Sequence, residues 1–280
     1  MLRYFPLAHD RFEHQFGIRA LPDDDSIIES TPEHTSEIKI KRQLLQEDPD
    51  NYFQAAPGSE PAQREAAVLI AQSAAIPAPA PDSSSPLLDV ARCVQEDLVV
   101  LSGDSASGHP VIAGIVCFPS GWSIGNKIGQ SILRVHQSVP EYEAAMGAST
   151  DQLLKRLKAG RPVWRMNWGV RSSSRLDQSP KHLETLIGEL ETLSAQNVGQ
   201  RCHFRVERQT LSRLPTTGAI LFTIHTHQCP LEALTAEQMQ RLHGVLQTCP
   251  QATLDYKGIA PIKQLVSSYL LTVSESKLPK

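Results

Sequence analysis

The sequence has no C-x-x-C pair, and its five cysteines (Cys93, Cys117, Cys202, Cys229 and Cys249) are scattered and odd in number. A zinc ribbon or a ferredoxin-type cluster needs closely spaced thiolates, so both are excluded, as is covalent haem attachment through C-x-x-C-H. Reduced thiols in a cytoplasmic protein are the expectation. No G-x-G-x-x-G joins a strand to a helix, since Gly121, Gly125 and Gly129 are spaced four apart, and there is no P-loop. Any redox chemistry here must therefore draw electrons from another polypeptide. No apolar run approaches the ~20 residues of a membrane span. The N-terminal MLRYFPLAHDRFEHQF lacks a continuous apolar core and a small-residue cleavage site, so no signal peptide is expected. A net charge of −3 gives no electrostatic case for nucleic acid or an anionic membrane as a partner.

What is present suffices for a sizeable core: 280 residues, 40% of them hydrophobic and 20% charged. Residues 1–32 carry clustered Pro and Asp and read as a surface wrap with little regular structure. A helix is expected over 35–47, stopped before Asp48-Pro49, then a turn over 51–58, and a second helix from Ser59 to about Ala74. IPAPAPDSSSP (76–86) is the clearest linker. Strands are expected at about 97–103, 110–118, 163–170, 203–212 and 219–228, with loops and short helical turns over 121–142. Capping boxes at Ser149–Gln152 and Thr235–Gln238 start two further helices, Ser179-Pro180 starts another, and 262–273 forms the last. The pattern is α+β: an antiparallel sheet of about five strands with helices packed on one side. The divisions are an N-terminal helical extension (1–75), a Pro/Ser-rich linker (76–88), a core (89–258) and a C-terminal helix and tail (259–280).

HFRVERQTLSRLPTTGAILFTIHTHQC (203–229) reads as a hairpin around Pro-Thr-Thr-Gly. A turn at Thr216-Thr217, or a loop over 215–218, sets Arg208 opposite His225. Ile220, Phe222 and Ile224 then share one face, and Leu221, Thr223, His225 and His227 the other. The imidazole face with Arg208 suits a flat anionic ligand; a solvated outer face is the alternative, and the hairpin alone favours it. His225-x-His227 also suits a metal, but no third ligand stands out, so a dedicated non-haem metal site is not expected. Cys229-Pro230 and Cys249-Pro250 resemble a thiolate haem-binding element, though each reads better as the end of an element. His136, between Val135 and Val139, has the setting of a proximal haem ligand: one nitrogen to an apolar pocket, the other to a backbone carbonyl. A satisfied core histidine is the competing reading.

Six blocks in order carry a resemblance: YFQAAPGSEPAQRE, ARCVQEDLVVL, AGIVCFPSGWSIGNKIG, VHQSVPEY, RPVWRMNW and RVERQTLSRLPTTGAILFTIHTHQCPL. Over roughly 37–258 the chain resembles the haem-dependent oxidative N-demethylases, as the haem subunit of dimethylamine monooxygenase-like systems. That resemblance implies a PAS-like core holding haem b. It implies oxidative removal of a methyl group from a small secondary alkylamine, with O2 consumed and formaldehyde released. Electrons would come from NADPH through flavin and iron–sulfur components on partner reductase subunits. His136 falls in the family's His-x-x-Val-Pro-x-Tyr block and is the expected axial iron ligand. Arg205, Glu207 and Arg208 match an R-V-E-R block, from which an arginine, Arg205 first, would pair a haem propionate. Arg165, Asn167 and Trp168 match an R-x-N-W block lining the same cavity, and Arg208 or His225 would protonate bound oxygen. Two departures stand out: His225-Thr226-His227 replaces a basic residue followed by Thr-Tyr, and the 76–86 linker is short. A non-catalytic PAS-like sensor of haem, gas or amine is the alternative, and a relative that has lost haem a third.

Overall fold

A computed structural model describes residues 2–13, 17–140 and 147–277. Seven antiparallel strands form one open sheet in the order β1-β5-β6-β7-β3-β4-β2. They are β1 Arg19–Ala20, β2 Phe53–Ala55, β3 Asp97–Leu101, β4 Val111–Ile115, β5 Val163–Arg171, β6 His203–Arg213 and β7 Ile220–Pro230. All five expected strands are there. The two additional ones are edge strands of two and three residues, too short to show a period of two in sequence. The helices are α1 His34–Glu47, α2 Pro49–Tyr52, α3 Glu60–Ala74, α4 Pro86–Ala91, α5 Ile132–Val135, α6 Ala148–Arg156, α7 Leu183–Glu191, α8 Val198–Arg201, α9 Ala236–Thr248, α10 Gln251–Tyr256 and α11 Lys263–Lys277. The α+β class stands.

The hairpin has the register its turn demands. Arg208 pairs with His225 and Thr210 with Thr223, and the loop closes through Leu214 N–H to the Ala219 carbonyl at 2.8 Å. Gly218 supplies the positive φ of 67° that the last loop position needs. Glu65 on α3 then accepts hydrogen bonds from the Thr216 and Thr217 backbone N–H groups and the Thr217 hydroxyl, fixing the turn to that helix.

Because side chains alternate along each strand, the sheet has two distinct covers. On one face, called face A, α1, α3 and α4 pack on Leu98, Val100, Ala113, Ile115 and Leu221. Farther along the same face, α8, α9 and α11 pack on Val170, Phe204, Val206 and Cys229. Between these cores the N-terminal residues cross the sheet, with Leu7 entering one core and Leu21, Ile27 and Ile28 the other. Face B carries Val99, Leu101, Val111, Leu211, Ile220 and Phe222, covered by Leu154 of α6 and by Trp122, Ile132 and Val135.

Several local expectations shift. Residues 51–58 are not simply a turn, since Tyr52 ends α2 and Phe53–Ala55 pair with Ala113–Ile115. Leu87 and Val90, just past the proline-rich stretch, are buried in the α3 core. The Thr235 capping box forms, Oγ1 accepting from Gln238 N–H and Gln238 Oε1 from Thr235 N–H. The Ser149 box does not: α6 begins at Ala148 with Gly147 at the N-cap position, so Ser149 lies inside the first turn. At Ser59 the hydroxyl donates back to the Ala56 carbonyl at 2.5 Å instead of capping α3.

Candidate functional site

His136 closes α5, a four-residue helix seated on face B by Ile132 and Val135. Its Nδ1 lies 2.9 Å from the Ile132 carbonyl. A carbonyl only accepts, so Nδ1 carries the proton and the lone pair of the neutral ring belongs to Nε2. Burial, reinforced by the Arg165 and Lys127 charges against the carbonyl contact, holds the imidazole pKa below its ordinary value. The wall on this side is apolar and half-buried: Trp122, Val163, Leu211 and Phe222. Glu141 and Tyr142, which end the His136 block, lie outside the described residues.

Farther along face B the polar side chains of β5 and β6 interlock. Glu207 Oε1 accepts from Ser120 Oγ at 2.8 Å, and Oε2 accepts from Asn167 at 3.2 Å and Gln209 at 3.0 Å. Burial opposes ionisation of Glu207, but Arg205 and these donors outweigh it and hold the carboxyl below the usual range. Lys257 closes the network, donating to Asn167 Oδ1 at 3.1 Å and to the Trp168 carbonyl at 2.6 Å.

Face A of the same strands is a buried ionic cluster under the N-terminal crossing. His225 is 1% exposed, with Nδ1 3.3 Å from both Glu29 Oε2 and Glu96 Oε1. His227 Nε2 stands 3.2 Å from the same Glu29 oxygen. Glu29 Oε1 is held by the Tyr4 hydroxyl at 2.5 Å and by Arg3 at 3.3 Å. Arg208 reaches Asp25 at 3.1 Å and the Ser26 carbonyl at 2.7 Å, its Nε 3.6 Å from Glu29. Burial opposes a charge on His225, yet Glu29 and Glu96 push its pKa up to about 9. Burial likewise works against Glu29, but His225, His227 and Tyr4 hold its carboxyl well below the usual range. A cavity of about 720 Å³ opens beside both imidazoles, with Glu33, Glu37, Ser174 and Arg175 in its wall.

The structure therefore separates residues that the sequence reading grouped. His136, Arg165 and Asn167 belong to face B, whereas Arg208 and His225 belong to face A, across the sheet. The imidazole face is no solvated surface, because Tyr4 and residues 25–29 lie over it. Trp168 is also on face A, where it stacks on Phe204 (centroids 6.2 Å apart) beneath Lys257. Arg205 is 2% exposed and donates to the carbonyls of Phe118 (2.6 Å), Leu176 (3.0 Å) and Arg175 (3.3 Å), which ties the loop after β5 to the segment after β4. Cys229 and Cys249 are buried thiols of the α9 core, both raised in pKa by burial, a poor setting for a thiolate ligand. Glu29 is the residue that sequence patterning missed. It lies in an irregular segment 198 residues from His227, and no local signal links the two.

An open antiparallel sheet with a carbonyl-anchored neutral imidazole over an apolar wall is a scaffold suited to a prosthetic group rather than to a nucleotide. The model of the family described as haem-dependent oxidative N-demethylase, alpha subunit-like, matches residues 68–267. The chain belongs to that family. Haem dependence comes with the family, and the matched span includes His136, both faces of β5–β7, α8, α9 and the start of α11.

Proposed function

We propose that this chain is the haem-carrying subunit of a multicomponent oxygenase that removes a methyl group, as formaldehyde, from a small secondary alkylamine. The observation that carries the reading is the 2.9 Å contact from His136 Nδ1 to the Ile132 carbonyl. It selects the tautomer in which Nε2 could ligate an iron and restrains the ring, as outer partners of ligating histidines do. The residues fit the group in three respects: a neutral imidazole, an apolar half-buried wall, and the cations Lys127 and Arg165 near the imidazole, which suit propionate carboxylates.

Haem b bound there would supply the oxygen-activating chemistry, and the chain supplies orientation and electrostatics. His136 keeps its Nδ1 proton on Ile132. Trp122, Leu211 and Phe222 would shield a group held there from water. The electron donors, NADPH through flavin and iron–sulfur components, belong to partner subunits, in keeping with the missing nucleotide and cluster motifs. Arg208 and His225 lie across the sheet from His136, so neither would reach oxygen bound beside it.

The test has two stages. Protein purified from a haem-replete host should show a Soret band that His136→Ala abolishes or shifts; an unaltered spectrum in the variant removes His136 as the ligand. Loaded protein given dimethylamine, O2 and a surrogate reductant should then release formaldehyde. Intact haem with no formaldehyde would favour a haem-based sensor of gas or amine instead.

A further inference from the structure

Glu29, His225 and His227 bring one carboxylate oxygen and two ring nitrogens within 4.8 Å of one another. Two of the three separations are 3.2 and 3.3 Å, both measured to Glu29 Oε2. Ligands at ~2.0–2.1 Å from a tetrahedral ion stand about 3.3–3.4 Å apart along each edge. Those two separations match edges of a coordination shell, and the third is no longer than 4.8 Å. His225 Nδ1 makes no hydrogen bond although Glu29 Oε2 and Glu96 Oε1 each lie 3.3 Å away. A buried ring nitrogen left in that state is costly unless something else occupies the gap.

The surrounding side chains act as an outer shell. Tyr4 and Arg3 occupy Oε1 of Glu29 and so present Oε2 to the imidazoles. Glu96 Oε1 accepts the Glu29 backbone N–H at 2.7 Å and fixes that residue's position. The charges are also short of cations. Asp25, Glu29, Glu37 and Glu96 face Arg3, Arg208 and the two imidazoles, an excess of carboxylates over guanidinium groups. A divalent ion held at the imidazoles would complement that excess.

We propose that Glu29, His225 and His227 form a site for one divalent first-row transition ion, with an open coordination position toward the 720 Å³ cavity. Two imidazoles and one carboxylate suit zinc or ferrous iron rather than magnesium or calcium, which take all-oxygen shells. Three protein ligands plus a vacancy is the pattern of a reactive site rather than a closed structural one. The cavity bordering the vacancy is wide enough for a small molecule, and its wall carries Glu33, Glu37 and Arg175. The site lies on face A, so it stands or falls independently of haem at His136.

Cobalt reads it out directly. Chelator-treated protein titrated with Co2+ should take up one ion per chain and develop visible ligand-field absorption, and Zn2+ should displace it. Substituting His227→Ala should weaken binding by at least ~100-fold, the loss of a ligand exceeding that of an outer-shell partner, and Glu29→Gln should do the same. His136→Ala, which tests the haem ligand, should leave cobalt binding unchanged. If Glu29→Gln does not fold, the half-buried His227→Ala decides. No stoichiometric uptake by the unsubstituted protein, or uptake that survives both substitutions, overturns the proposal.

Discussion

Arg208 and His225 face each other across β6 and β7, each 1% exposed, and both lie beneath a segment from the far N-terminus. Arg208 is what holds that segment down, through Asp25 and the Ser26 carbonyl. Its guanidinium also lies over the Trp164 ring, 5.7 Å from the centroid.

Arg208→Met should therefore release the segment around Asp25 and Ser26 from the sheet as well as lower global stability. Removing one member of a buried ionic network costs roughly 3–5 kcal/mol, because the remaining carboxylates keep their charge without a partner. Urea unfolding measures the global loss, and limited proteolysis of the N-terminal segment measures the local one. An N-terminus as protected as in the unsubstituted protein would contradict this role.

Lys41 of α1 is fully buried, donating to the carbonyls of Val94, Gln95 and Glu96, with Asp97 Oδ1 3.7 Å away. Asp97 in turn accepts the Cys117 and Phe118 backbone N–H groups at 2.8 Å each. Burial pushes the Asp97 carboxyl up even with Lys41 beside it, so losing the ammonium should be expensive. Lys41→Met is expected to cost about 3–5 kcal/mol in a denaturant titration. Adding Asp97→Asn should recover at least ~1 kcal/mol of that, since the orphaned charge goes with it. Strict additivity of the two losses would show that they do not act as a pair.

Lys257 gives a pH signature. Burial, with Arg171 and Arg165 adding to it against Glu207, pulls its pKa down to about 8 in the folded chain. The unfolded chain keeps that proton until about 10.4. Between those values the unfolded state binds more protons, so this residue's contribution to stability rises with pH. The stability difference between the unsubstituted protein and Lys257→Met should thus grow in favour of the former from pH 8 to pH 10. Chemical unfolding at three pH values is enough, and a flat difference would remove the shift.

How much of this was readable beforehand follows the range of each interaction. The β6–β7 register needed only a short turn and a period of two, so Arg208 opposite His225 was legible in sequence, as were the Thr235 cap and the five main strands. Val135 and Val139 marked His136 as a histidine in an apolar setting, and its contact to the Ile132 carbonyl is the backbone anchor expected there. What failed was the grouping of candidates. Adjacent residues of the R-V-E-R and R-x-N-W blocks point to opposite sides of a strand. A block that is contiguous in sequence is therefore split between two environments, Glu207 and Asn167 on one face, Arg208 and Trp168 on the other.

Alternation and turn chemistry act over a few residues, and they dictated which segments became strands and which side chains shared a face. Whether a face met water, haem or another part of the chain lay beyond them, because that depends on contacts between residues nearly two hundred positions apart. The placing of Tyr4 and residues 25–29 over face A turned an apparent outer surface into a buried cluster and delivered Glu29 to two histidines. Loop closure over such distances leaves no periodic trace in the sequence, and only the packed chain reveals it.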